Sequence, residues 1–97
     1  MAYVSIRRYE GVQDVQEAVR RVEEGLVSII RGTPGFIAYR IVDAGDGVVA
    51  SISVFENQAG VEEVNQRAAE WVKENLASLI PNAPQITAGE VIASHQS

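Results

Sequence analysis

Ser5-Ile6-Arg7-Arg8-Tyr9-Glu10 recurs 46 residues later as Ser51-Ile52-Ser53-Val54-Phe55-Glu56. The offset persists through the amphipathic stretch that follows each copy. Val15, Ala18, Val22, Leu26 and Ile30 fall on Val61, Val64, Ala68, Val72 and Leu76, and Glu17, Arg21 and Glu24 recur as Glu63, Arg67 and Glu70. A strand followed by a helix, written twice, predicts a βαβ unit used twice about a pseudo-two-fold axis.

Around this repeat the elements follow from periodicity. Residues 2–9 alternate in the manner of a half-buried strand, with Val4 and Ile6 on one side and Tyr3, Ser5, Arg7 and Tyr9 on the other. Asp14 and Glu17 have the spacing of a capping box, and Val15, Ala18, Val19, Val22, Leu26, Ile29 and Ile30 form a helical stripe that Gly32 and Pro34 stop. Residues 36–42 read as a second strand, Asp43 to Gly47 as a hairpin loop, and residues 48–55 as a third strand. Asn57 is the N-cap expected for a second helix running to about Ile80, after which Pro81 and Pro84 precede a fourth strand over 85–93. Pro84 matches Pro34 at an offset of 50 rather than 46, so the second helix should be one turn longer and Arg40 should correspond to Glu90. The expected class is α+β: a ferredoxin-like βαββαβ chain with a four-stranded antiparallel sheet and two helices on one face.

The 97 residues read as one domain, with 94–97 as a tail. With 46% hydrophobic and 22% charged residues the composition is that of an ordinary globular protein rather than a disordered one. A net charge of −5 with scattered basic residues argues against nucleic acid. Cysteine is absent, which removes disulfides, thiolate nucleophiles and Cys-based metal sites. No signal peptide pattern is visible and no apolar run approaches the roughly 20 residues of a membrane span, so a cytoplasmic protein is expected.

Right-handed crossovers put both helices on one face of the sheet. The aliphatic sides of the central strands (Val4, Ile6, Ala50, Ile52, Val54) are expected beneath the helices. The opposite side, with Tyr3, Ser5, Arg7, Tyr9, Val49, Ser51, Ser53 and Phe55, is too aromatic for free solvation and too polar for a dry core. A second copy packed sheet to sheet, around a small and partly polar interior, is the expected partner.

Thr33-Pro34-Gly35-Phe36, then Tyr39, then Val54-Phe55-Glu56-Asn57 leading into a long helix with Trp71, resembles the dimeric α/β-barrel superfamily, and within it the antibiotic biosynthesis monooxygenase (ABM)-like domains. The likeness covers roughly residues 3 to 93. It implies a homodimer, a small aromatic ligand, and a cofactor-independent monooxygenase acting on a phenol or quinol. A non-catalytic interaction module with a filled barrel interior remains the alternative. Haem-degrading members combine an Asn on the first strand with a Trp and a His on the second helix. Of these, only Trp71 is present here.

The candidate pocket comprises Ser5, Arg7, Tyr9, Ser51, Ser53, Phe55 and Trp71. Arg7 could hold a carboxylate or phenolate or polarise a carbonyl, or it could pair with an acid such as Glu56 or Glu90 of either subunit; a buried charge requires some anion. Trp71 could stack on an aromatic substrate, or pack: it falls opposite Gly25 in the repeat, and a mid-helix glycine that costs about 1 kcal/mol has a reason if it admits the indole. Ser51 and Ser53 have no base placed to activate them, and the tyrosines could offer hydroxyls or simply pack. His95 is a lone histidine near the chain end with no second ligand, and no metal or other cofactor is expected.

Overall fold

The computed structural model describes residues 2–96. Strand β1 (Tyr3–Tyr9) leads through the Asp14 cap into helix α1 over residues 15–31. Within α1, α-helical Val15–Arg21 and Val27–Arg31 flank a π-helical segment, Val22–Leu26. Then come β2 (Phe36–Gly45), β3 (Val48–Phe55), α2 (Gln58–Asn75) and β4 (Gln85–Glu90). All pairings are antiparallel and the strand order is β2-β3-β1-β4, so the βαββαβ class and four-stranded sheet are those expected. Asp46 and Gly47, both at positive φ, turn the chain between β2 and β3, the conformation that Asp-Gly favours in tight hairpins. Among the described residues, no helix is long and apolar enough to cross a membrane. Of the expected tail, Ser97 lies outside the described residues, and His95 is exposed beyond β4.

The repeat is visible in the register. Ile6 pairs directly with Ile52, its own equivalent at an offset of 46, so the pseudo-two-fold axis passes between these two side chains. Arg40 pairs with Ile52 and Thr87 pairs with Ile6, which makes Thr87, not Glu90, the counterpart of Arg40. Glu90 pairs with Tyr3 and lies on the other face and at the other edge of the sheet from Arg40.

Helix α2 ends at Asn75 rather than near Ile80. Asn75 Nδ2 donates to the Trp71 carbonyl at 2.9 Å, and Arg21 of α1 donates to the Asn75 carbonyl at 3.4 Å, satisfying two C-terminal oxygens. The inserted residues form a turn in which the Leu79 and Ile80 amides both donate to the Leu76 carbonyl. That turn buries Leu76 and sets Leu79 and Ile80 against Tyr9 and Val12, where their apolar surface leaves water. The Gln13 amide ties it down by donating to the Leu79 carbonyl at 2.8 Å.

The two faces of the sheet are exchanged relative to expectation. Ser5, Arg7 and Tyr9 of β1 and Val49, Ser51, Ser53 and Phe55 of β3 are buried beneath the helices, whereas Val4, Ile6, Ala50, Ile52 and Val54 lie on the open face and stay partly exposed. A helix-on-sheet layer needs bulky side chains to fill it, and Tyr9, Phe36, Tyr39 and Phe55 supply that bulk where alanine and valine would leave voids. The core divides accordingly. Leu26, Ile30, Phe55, Val61, Val64 and Ala68 form a cluster at one end, and Tyr9, Val12, Ala18 and Val49 a second at the other. Between them, at the middle of β1 and β3, lies a polar seam.

Candidate functional site

Arg7 occupies the centre of that seam. Strand alternation turns Ser5, Arg7 and Tyr9 inward from β1, and the register sets Ser53 opposite Ser5 and Ser51 opposite Arg7. From above, α2 presents Asn65. One Arg7 terminal nitrogen donates to Asn65 Oδ1 at 3.1 Å; the other donates to Ser51 Oγ at 2.9 Å and reaches Ser53 Oγ at 3.5 Å. Ser5 Oγ donates to the same Asn65 Oδ1 at 2.6 Å, and Ser51 Oγ donates to the Tyr39 hydroxyl at 3.0 Å. The result is a chain of neutral oxygens running from α2 through Arg7 to β2.

The guanidinium is 2% exposed, and no ion pair to it occurs among the described residues. Its Nε–H is buried with no acceptor. Within the chain, neither Glu56 nor Glu90 pairs with it. Tyr9, beside Arg7, has its hydroxyl pKa raised, chiefly by burial; the Arg7 charge opposes the rise and Tyr39 adds to it. Tyr9 is therefore a hydrogen-bond donor at neutral pH, not a base.

Arg7, Tyr9, Tyr39 and Ser51 share a cavity of about 40 Å³ with an apolar wall that includes Val22 and Leu26 of the π-helical segment. That volume accommodates water-sized groups, whereas a benzene ring takes a cavity of roughly 150 Å³. On the far side of Val19, Tyr39 and Ile41, which border both spaces, an open groove of about 810 Å³ runs between α1 and β2. Arg20, Glu23, Glu24 and Asp43 lie along it.

Of the seven candidate residues, Ser5, Arg7, Tyr9, Ser51 and Ser53 come together here. Phe55 does not: its ring packs edge-on against Phe36 with centroids 5.9 Å apart, in the apolar cluster at the Tyr3 end. Trp71 also lies elsewhere, its indole over Gly25 where the two helices cross, so close that a Cβ on residue 25 would come within 2.6 Å of Cζ2. Asn65 and Tyr39 complete the site and were not among the seven. Asn65 had a sequence signal, since its repeat equivalent is Val19: a polar residue interrupts the buried stripe in the second copy only. No cluster of three or more metal-ligating side chains occurs among the described residues.

No protein-family model matches the sequence, and no curated protein does so. Solved structures do resemble it. A monooxygenase of Streptomyces coelicolor, ActVA-Orf6, in complex with the ligand Nanaomycin D, superposes with a TM-score of 0.77 at 19% identity, over 99% of this chain and 92% of that one. A protein of unknown function from Nitrosomonas europaea gives a TM-score of 0.76 at 19% identity, over 99% and 94% of the two chains. A variant of MhuD with two manganese protoporphyrin IX molecules per active site gives 0.71 at 11% identity, over 98% and 99%. The chain has the ferredoxin-like α+β fold of the ABM-like proteins.

Proposed function

We propose that the space between α1 and the sheet receives a small, partly aromatic molecule of the phenol or quinol class, oxygen first, and that the reaction is a cofactor-independent monooxygenation. One observation carries the reading: Arg7 is buried among neutral oxygens with its Nε–H unmatched, beside a cavity. A fixed positive charge in a water-poor site stabilises oxygen that gains negative charge as a reaction proceeds. A phenol held this way ionises more readily, and its electron-rich ring reacts with dioxygen; phenol and dioxygen become quinone and water, one oxygen atom going to each product. Arg7 would hold the phenolate, Ser51 and Ser53 would orient Arg7, and Tyr9 would donate to the developing anion. The shared fold with a monooxygenase lends support.

The residues present do not fit a haem. Helix α2 carries no histidine, and the interior cavity of about 40 Å³ is far below porphyrin size. The same small volume favours a second reading, an interaction module whose interior is filled by its own side chains. Oxygen uptake with naphthol separates the two. The enzyme reading expects naphthoquinone to form with one dioxygen consumed per quinone, and the rate to fall about a hundredfold or more in Arg7→Ala. Absence of both turnover and thermal stabilisation by naphthol, hydroquinone or haem would leave the filled module.

A second copy of the chain is the proposed partner in either case. The open face around Val4, Ile6, Ala50, Ile52 and Val54 is aliphatic and central to the sheet, and a chain of this size gains stability by covering it. A cytoplasmic location belongs to the same proposal.

A further inference from the structure

Resting on the small-molecule reading above, the geometry points to the class of ligand: a monoanion whose head enters the Arg7 cavity and whose apolar, uncharged body lies in the groove between α1 and β2. Three observations converge on it. First, Arg7 carries a full charge, is 2% exposed, and donates to Ser51, Ser53 and Asn65 oxygens with the Tyr9 hydroxyl beside it, all neutral groups. An uncompensated buried cation is unfavourable, and an acceptor that brings one negative charge to the orphaned Nε–H corrects both deficits at once.

Second, about 40 Å³ admits a carboxylate or a phenolate oxygen but not the ring behind it. Two larger spaces adjoin the cavity: Tyr9, Val72 and Ile80 front one of about 350 Å³, and Val19, Tyr39 and Ile41 front the larger groove, through which the body is assigned to pass. Tyr39 is the hydrogen-bonded part of the wall toward the groove. Its hydroxyl accepts from Ser51, which also accepts from Arg7, so one hydroxyl links this wall to the cation that the head group reaches.

Third, the groove repels a second negative charge. Glu23, Glu24 and Asp43 lie along it, and its one cation, Arg20, is already bonded to Glu17 and Glu24. Acidic rim and buried cation together select a ligand charged at its inner end only.

Benzoate, its neutral isostere benzamide, and terephthalate, whose second carboxylate would point to the rim, test the assignment on the intact protein. Binding is followed by calorimetry and by the Nε–Hε resonance of Arg7, assigned through bonds in the wild-type chain so that the reading survives if a variant fails to fold. Benzoate should bind at least about tenfold more tightly than benzamide or terephthalate and shift the Arg7 Nε–Hε signal. Arg7→Met should reduce the benzoate preference over benzamide to less than about twofold. Equal affinity for benzoate and benzamide, or benzoate binding that leaves the Arg7 signal unmoved, would overturn the anion site. Terephthalate binding as tightly as benzoate would overturn the placement of the body in the groove. Naphthol binding or turnover alongside such a failure would leave the broader small-molecule reading standing; no binding by any of these compounds would end both.

Discussion

A methyl group on residue 25 would sit 2.6 Å from Cζ2 of Trp71, closer than side-chain carbons approach one another. Gly25 is thus explained by the aromatic ring that crosses it, and the most conspicuous aromatic of the chain is a packing element at the helix crossing. Gly25→Ala tests this against propensity. Alanine is the better helix former by about 1 kcal/mol, yet the variant should be destabilised by about 1–3 kcal/mol through overpacking. Urea denaturation of Gly25→Ala and of Gly25→Ala combined with Trp71→Leu should show most of that loss recovered in the double variant; a single variant as stable as the parent would refute the contact. The Gly25 and Trp71 pairing was legible from the repeat alone, because both stand where the two copies differ. Asn65 was equally exposed to that comparison, as the counterpart of Val19, but its meaning was not, because its two donors lie 58 and 60 residues away on β1.

Among the elements, α1 departs furthest from its sequence pattern. Its heptad-like stripe gives no warning of the π-helical turn at Val22–Leu26, which carries both Gly25 and two side chains of the cavity wall. The first turn is half of a capping box: Asp14 Oδ1 accepts from the Glu17 amide at 3.1 Å, while the Glu17 carboxylate turns outward to Arg20 and Arg21 at 2.6 and 2.7 Å. The hydrogen bonds from these two arginines, with Arg20 the larger cause, lower the Glu17 pKa to about 2. Because the folded-state value lies below the unfolded one, the stabilisation is complete above the ordinary carboxylate range and is lost as pH falls toward about 2. The carboxylate is at the surface, so the effect is small and screened by salt. Urea midpoints of the wild type should therefore fall more steeply between pH 5 and pH 2 than those of Glu17→Gln, converging at the acid end, and added salt should narrow the gap. Parallel curves would show that the network contributes nothing.

At the scale of the molecule, the sheet has a polar, aromatic inner face and an aliphatic outer one, with Ile6 and Ile52 paired at the pseudo-two-fold axis in the centre of the latter. If a second copy covers that face, a charge at its centre is the most damaging single change. Ile52→Asp should convert a dimer to a monomer in sedimentation equilibrium while leaving the circular dichroism of the fold intact; a chain that is monomeric before the substitution would remove the proposed interface. The element order, the caps at Asp14 and Asn57 and the strand at Val48–Phe55 were determined by the sequence, since periodicity, capping side chains and turn residues act within a few positions of one another. So was the twofold plan, because repetition is a property of the chain. Only the tertiary structure decided which face of the sheet the helices cover, that the inserted residues form a turn under Tyr9 rather than another helical turn, and that Arg7 meets Ser51, Ser53 and Asn65 instead of a carboxylate. Alternation divides a strand into two faces but does not say which is inward; that depends on how elements separated by some 44 to 60 residues fill a common layer.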